Sequence, residues 1–263
     1  MAQKANSPVR LQIDSDGRIA RLTLQAPPLN ILDRKINAEI VQAICRAEKA
    51  GAGYLLIASG IPGVFSAGVS IPEHQPKTVR AMLLGFHEIF RKLHGSPLIT
   101  LAAINGHCYG GGAELALFCD FVLASRNANI GFPEITLGCL PPVASLILQK
   151  KCGSALATDL VLAGRTLTGA EAAATGLATR LLPGGKKFGP ALEKSIRQIT
   201  GHSAAAQRHA RAALRLSCRY HESFEERLGR IEDLYLMQLM KTRDASEGIA
   251  AFMEKRKPRW MDA

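Results

Sequence analysis

The spacing of apolar positions divides the chain into short strand-like runs and longer helical ones. Val9 to Asp14 and Arg18 to Leu24 read as strands, with Ser15-Asp16-Gly17 as a hairpin turn between them. Pro27-Pro28 breaks the second run. Asp33 then caps a helix carrying Ile36, Ile40, Ile44 and Ala47 at helical spacing, and Gly51 ends it. Tyr54 to Ala58 is a short apolar run that predicts a buried strand, and Ser59 to Pro76 reads as a long loop rich in glycine and proline. A helix over Thr78 to Leu93 follows, with Met82, Phe86, Ile89, Phe90 and Leu93 on one face, stopped by Pro97.

Leu98 to Ile104 is the next buried strand, Asn105-Gly106 a turn, and Gly110-Gly111-Gly112 the entry to a helix bearing Glu114. Phe121 to Ala124 reads as a strand, Gly131 to Pro142 as a second glycine and proline loop, and Ser145 to Lys150 as a helix. Strands alternating with helices predict an α/β fold with crossover connections.

The last third differs. Thr168-x-x-Glu171 and Ser223-x-x-Glu226 are capping boxes, and Asp244-x-x-Glu247 is an analogous start signal. Phe188 to Thr200, Ser203 to Ser217, Ser223 to Lys241 and Ser246 to Arg256 read as helices, and Ala178 to Leu182 as a strand. The expected organisation is an α/β core over residues 1–190 and a helical region over 191–263.

Composition narrows the class. An apolar content of 47% against 21% charged residues suits a folded, soluble chain rather than a disordered one. The N-terminus lacks the apolar stretch of a secretory signal, and no apolar run approaches the roughly 20 residues that span a bilayer, so a soluble cytoplasmic protein without a membrane partner is expected. Six cysteines occur with no Cys-x-x-Cys pair and no zinc spacing, which predicts mostly buried, reduced thiols and no metal site. The net charge of +11 suits an anionic ligand. A basic balance also suits nucleic acid, and charge alone does not choose between these partners; basic residues are dispersed until Lys255-Arg256-Lys257 and Arg259, and the 5% aromatic content offers no visible stacking platform, which makes nucleic acid the less expected partner.

Two loops after buried strands carry the candidate chemistry: Phe65-Ser66-Ala67-Gly68-Val69-Ser70, and Asn105 to Glu114 with its glycine triplet. Glycines at a strand-to-helix junction let a ligand approach main-chain N–H groups at a helix N-terminus, where negative charge is favoured. Two such donors aimed at one carbonyl oxygen form an oxyanion hole. The triplet is neither a P-loop nor a dinucleotide fingerprint; taken alone it is a flexible turn or a packing device. Glu114 and Glu134 are the second element, since two carboxyls in different environments can divide acid and base roles. Separately, Glu114 is explained by the helix dipole and Glu134 by a solvated loop.

In this order, these residues resemble the crotonase (enoyl-CoA hydratase/isomerase) superfamily, through Phe65 to Ile71, Leu101 to Asp120, Ile130 to Gly138, Ala163 to Leu177 and Ser246 to Lys257. The resemblance implies a crotonase-like ββα spiral core with a helical C-terminal trimerisation region, and a homotrimer or dimer of trimers. It implies an acyl-CoA substrate, oxyanion donors at the Val69 and Gly111 N–H groups, and catalytic Glu114 and Glu134. Water would add to a conjugated double bond with no metal or separate cofactor, coenzyme A entering as part of the substrate. Substrate contacts are expected from Ala67, Gly68, Ser70, Ile71, His74, Gly110, Phe132, Leu140 and Lys255, the last at a phosphate group.

The chain also departs from the common pattern. Val69-Ser70 stands where well-known enoyl-CoA hydratases have Ala-Asp, and Pro141-Pro142-Val143-Ala144-Ser145 stands where a glycine-rich segment is usual. Pro28 and Pro72 replace lysines that touch the CoA phosphates. Phe65-Ser66-Ala67-Gly68-Val69-Ser70, Glu73-His74-Gln75-Pro76 and Pro142-Val143-Ala144-Ser145 resemble the dienoyl-CoA hydratases of anaerobic benzoyl-CoA degradation, which hydrate cyclohexa-1,5-diene-1-carbonyl-CoA. An alicyclic ring needs a wide apolar pocket, for which Val69, Met82, Leu83, Phe86, Phe132, Leu140 and Val143 are candidates; at helical spacing, Met82, Leu83 and Phe86 read better as core. By its place after the oxyanion residue His74 could approach the thioester or the ring, although a loop histidine is more often solvated; His107 reads as structural, and Asp120 as a residue that packs or supports the site from behind. The alternatives are a general enoyl-CoA hydratase or an isomerase of the same fold, a basic RNA-binding protein, and a structural trimer without catalysis.

Overall fold

The computed structural model describes residues 7–74, 77–137, 139–216, 238, 242–244, 247, 251, 254–257 and 259–261. The chain forms two compact units, Met1–Ser96 with Thr100–Glu193, and Pro97–Ile99 with Lys194–Ala263.

The first unit opens with a hairpin, β1 (Val9–Ile13) and β2 (Ile19–Leu24), paired antiparallel. Helix α1 (Arg34–Lys49) follows, its first turn closed by the Asp33 carboxylate accepting from Ile36 N at 2.8 Å. Its Ile36, Ile40, Ile44 and Ala47 are buried, so the apolar period read from the sequence is the face that packs.

Three successive β–β–α turns come next. They are β3 (Tyr54–Ser59), β4 (Gly63–Ser66) and α2 (Val79–Gly95); β5 (Ile99–Ile104), β6 (Gly106–Tyr109) and α3 (Gly111–Phe118); and β7 (Phe121–Ser125), β8 (Asn129–Gly131) and α4 (Pro142–Cys152). In each turn the first strand joins a large sheet and the second a small one. A further helix α5 (Ser154–Leu162), strand β9 (Thr166–Thr168), helix α6 (Gly169–Ala174) and strand β10 (Arg180–Leu182) complete both sheets. The large sheet runs β1-β2-β3-β5-β7-β10 and the small one β4-β6-β8-β9. Strand β5 is buried at every position, as its apolar run, interrupted only by Thr100, predicts.

In the small sheet β4, β6 and β8 are parallel, with Ser66 beside Cys108 and Tyr109 beside Gly131. Three loops therefore leave the same end of one sheet, at Ser66, Tyr109 and Gly131. The carboxyl ends of parallel strands are where α/β folds place ligands. This sheet corrects the sequence reading. The Ser59 to Pro76 segment holds β4 and a 3-10 turn over Ile71–His74, Asn105-Gly106 leads directly into β6, and the Gly131 to Pro142 segment holds a 3-10 turn over Pro133–Leu137. Helix α4 starts three residues earlier than expected, and α5 was not expected. The capping box of α6 is present, with Thr168 Oγ1 and the Glu171 carboxylate closing the first turn reciprocally.

Helix α7 (Phe188–Thr200) matches its expected span. In the second unit α8 (Ala204–Leu216) follows, and Ser203 Oγ donates to Asp244 Oδ2 at 2.6 Å. The Arg256 guanidinium grips Glu247 with two hydrogen bonds, at 2.6 and 2.9 Å. Apart from Gln238, the helix expected over Ser223 to Lys241, with its capping box, lies outside the described residues. Of the helix expected over Ser246 to Arg256, only Glu247, Ala251 and Glu254 to Arg256 are described, Glu247 and Ala251 being helical. No helix among the described residues is long and apolar enough to cross a membrane. The cysteine expectation is corrected in part: among the described residues Cys108 and Cys119 are buried, Cys139 and Cys152 are half-buried, and Cys45 is exposed on α1.

Candidate active site

The three loops leaving the small sheet converge. Gly110 caps α3 at φ +50°, in the left-handed region that glycine adopts without strain. Its N–H donates to Gly131 O at 3.0 Å, tying the second loop to the third. A Cβ on Gly110 would lie 2.8 Å from Glu134 Oε1, so the missing side chain is what admits the carboxylate. A Cβ on Gly111 would lie 2.8 Å from Val69 Cγ1 and 2.9 Å from Phe86 Cζ. The Val69 side chain and the Phe86 ring therefore pack against Gly111, which brings the two residues expected to supply oxyanion donors next to each other. Among the described residues, neither N–H is taken by an acceptor of the protein.

Glu114 lies in the first turn of α3 and is 2% exposed. Its Oε1 accepts from Val143 N at 2.8 Å and from Ala144 N at 2.9 Å, the free donors in the first turn of α4. Glu114 thus sits at two helix N-termini, its own and that of α4. Burial pushes its pKa up to about 7; the Ala144 and Val143 N–H groups oppose the rise, and the neighbouring Glu134 charge adds to it. Glu134 lies in the 3-10 turn Pro133–Leu137, half-buried, with its Oε2 shielded from solvent, rather than in a solvated loop. A buried carboxyl with its pKa raised toward neutrality beside a second carboxyl is an arrangement suited to moving protons.

The remaining expected residues divide. Ala67 and Gly68 form the approach to Val69, with Gly68 buried and Ala67 half-buried. Ser70 is half-buried, while Ile71 and Leu140 are 60% and 61% exposed. Phe132 is buried in the core at 1% exposure. Met82 and Phe86 are core residues as read from their spacing, although Phe86 also backs Gly111; Leu83 is half-buried. The main chain of His74 closes the 3-10 turn after Val69, and its side chain lies outside the described residues. Lys255 is exposed, at φ +54°, in the second unit. His107 is exposed and stacks on Tyr109 at 5.6 Å between centroids. Asp120 ties the end of α3 to β5, its Oδ2 accepting from Thr100 N and Oγ1 at 2.8 and 2.9 Å. Among the described residues, no cluster of three His, Cys, Asp or Glu side chains is placed to hold a metal ion.

Sequence reasoning missed what holds Glu114. Val143 and Ala144 act through their main chain, and the available signal was Pro141-Pro142, since proline at the first helical position marks a helix start.

A β–β–α spiral whose small sheet brings Val69, Gly111, Glu114 and Glu134 to one end is the architecture of a crotonase-type enzyme. The chain belongs to the enoyl-CoA hydratase/isomerase family, whose sequence profile matches residues 14–263. It is 35% identical over 257 residues to the cyclohexa-1,5-dienecarbonyl-CoA hydratase of Thauera aromatica, covering 98% of each chain. It is 34% identical over 255 residues to a probable enoyl-CoA hydratase of Mycobacterium tuberculosis, covering 94% of this chain and 96% of that one. A solved enoyl-CoA hydratase from Geobacillus kaustophilus superposes with a TM-score of 0.87 at 26% identity, over 99% of this chain and 98% of that one. These relatives are hydratases, and the chain is accordingly an enzyme of the hydro-lyase type.

Proposed function

We propose that the enzyme adds water across a conjugated double bond of an acyl-CoA thioester, with Glu114 and Glu134 as the acid–base pair. The observation that carries this reading is the Glu114 carboxyl, 2% exposed and anchored by Val143 N and Ala144 N, beside Glu134. The thioester oxygen accepts from Val69 N–H and Gly111 N–H. Negative charge grows on that oxygen as hydroxyl adds to the β-carbon, and each donor is worth about 3 kcal/mol to that transition state. One O–H bond of water breaks, a C–O bond forms at the β-carbon and a C–H bond at the α-carbon. The pair needs one carboxylate to take the water proton and one carboxyl to supply the carbon proton. No step calls on a metal or a cofactor beyond the substrate's own coenzyme A.

We propose cyclohexa-1,5-diene-1-carbonyl-CoA as the substrate. The 35% identity to the Thauera aromatica hydratase over nearly the full length of both chains supports this. Val69 supports it too, because it puts a branched side chain beside Gly111 and so sets a different wall from that of an alanine. A general enoyl-CoA hydratase is the second reading, favoured by the 34% identity to the Mycobacterium tuberculosis protein.

The test offers crotonyl-CoA, a longer enoyl-CoA and the cyclic diene thioester separately, following loss of conjugated absorbance and gain of one water by mass. Hydration of the cyclic diene with little turnover of crotonyl-CoA is expected. Efficient crotonyl-CoA hydration selects the second reading. Wild-type rates in both Glu114→Gln and Glu134→Gln would refute the carboxyl pair.

A further inference from the structure

The two oxyanion donors come from different loops, so something must fix the first relative to the second. We infer that Asn30 is the positioning residue that sets the Val69 N–H, an inference that rests on the oxyanion reading above. Asn30 is 1% exposed and sits at φ +50°, a left-handed conformation that asparagine tolerates better than most residues. Every hydrogen-bonding group of its carboxamide is used on local backbone or a neighbouring loop. Oδ1 accepts from Ala26 N at 2.7 Å, and Nδ2 donates to Ser59 Oγ at 2.8 Å and to Phe65 O at 2.9 Å.

From Asn30 the restraint passes outward along the loop. Ser66 Oγ donates to Asn30 O at 2.8 Å and accepts from Gly68 N at 3.1 Å. On either side, Ala67 N donates to Leu29 O at 3.0 Å and Leu32 N to Gly68 O at 2.9 Å, and Leu32 bridges Val69 as an isolated parallel pair. The segment from Leu29 to Leu32 therefore grips all three residues that precede Val69.

The same serine sets the distance to the second donor. Ser66 is fully buried, and a Cβ on Gly112 would lie 2.6 Å from Ser66 Cβ. A Cβ on Gly68 would lie 3.1 Å from Tyr109 O and 3.3 Å from Gly111 N. The loop held by Asn30 thus lies flat on the glycine triplet, and shifting it moves Val69 N relative to Gly111 N. Neither Asn30 nor Ser66 touches the reacting atoms in this arrangement.

Two variants separate positioning from folding. Asn30→Gly keeps the backbone angle and deletes the carboxamide. Ser66→Ala keeps the Cβ against Gly112 and deletes only the hydroxyl that joins Asn30 O to Gly68 N, so it remains informative if Asn30→Gly fails to fold. The direct readout is the infrared carbonyl stretch of bound cyclohexanecarbonyl-CoA, isotopically labelled at the thioester carbon, a saturated probe that cannot be hydrated. With wild type the stretch moves to lower frequency on binding, because two donors polarise the bond. In the folded variants that downshift shrinks and kcat falls by about 10- to 100-fold while KM changes far less. An unchanged downshift in both variants, whatever their kcat, overturns the assignment to Asn30. No downshift with the wild-type enzyme would instead remove the oxyanion reading on which the assignment rests.

Discussion

Replacing Glu114 by glutamine is expected to make the protein more stable and nearly inactive, with a stability gain that depends on pH. In the folded chain the Glu114 carboxyl titrates at about 7, against an ordinary glutamate value of 4.5, chiefly because it is buried. The folded state holds this proton more tightly than the unfolded state. Glu114 therefore favours the native state at low pH, and that contribution is lost as pH rises from 4.5 through about 7. The span between the two values corresponds to about 3 kcal/mol once the group is fully ionised, and about 1 kcal/mol of it is already lost at pH 5. Glutamine cannot ionise and keeps an oxygen for Val143 N and Ala144 N. At about 2 °C per kcal/mol for a chain of this size, Glu114→Gln should melt roughly 5 °C or more above wild type at pH 8, and only one or two degrees above it at pH 5. Scanning calorimetry of both proteins at the two pH values measures the difference, and titrating groups other than Glu134, whose charge is coupled to Glu114, cancel in the comparison. A gap that is the same at both pH values, or that narrows as pH rises, would refute the claim that a buried carboxyl is being forced to ionise. Loss of turnover in the more stable variant would identify the strain as one kept for catalysis.

Two further outcomes follow from the same geometry. Under the proposed pairing of one carboxyl with one carboxylate, kcat/KM should fall as pH rises through about 7, where Glu114 loses its proton; a rate that climbs steadily from pH 6 to pH 9 would exclude a protonated member of the pair. Gly110→Ala places a Cβ 2.8 Å from Glu134 Oε1 and strains a residue at φ +50°, so steady-state kinetics should show kcat down by about 10- to 100-fold, and an unaltered kcat would show that Glu134 is free to move without consequence.

The large sheet and the helices on it were legible because each carries its own signal. Strand β5 is apolar at every position but Thr100, α1 is capped by Asp33, and α2 buries the five residues its period selects. The small sheet was not, although it organises the site. Its strands are three or four residues long, rich in glycine and polar residues, and paired with partners some 20 to 40 positions away. Such strands form because the loops around them are already anchored, and a local period has no room to develop.

The site was legible for the same reason in part. Glutamates and a glycine triplet are visible as letters, and their chemistry follows from the side chain or from its absence. The groups that hold Glu114 are main-chain donors, which any residue except proline supplies. Val143 and Ala144 therefore read only as apolar positions at the start of a helix. Their one trace is where the prolines stop. Pro142 occupies the first helical position, where the missing N–H costs nothing, and a proline one residue later would delete a donor to Glu114. Because the two N–H groups at this helix start belong to the main chain, valine and alanine hold the Glu114 carboxyl here as other residues could, and their side chains carry no trace of it.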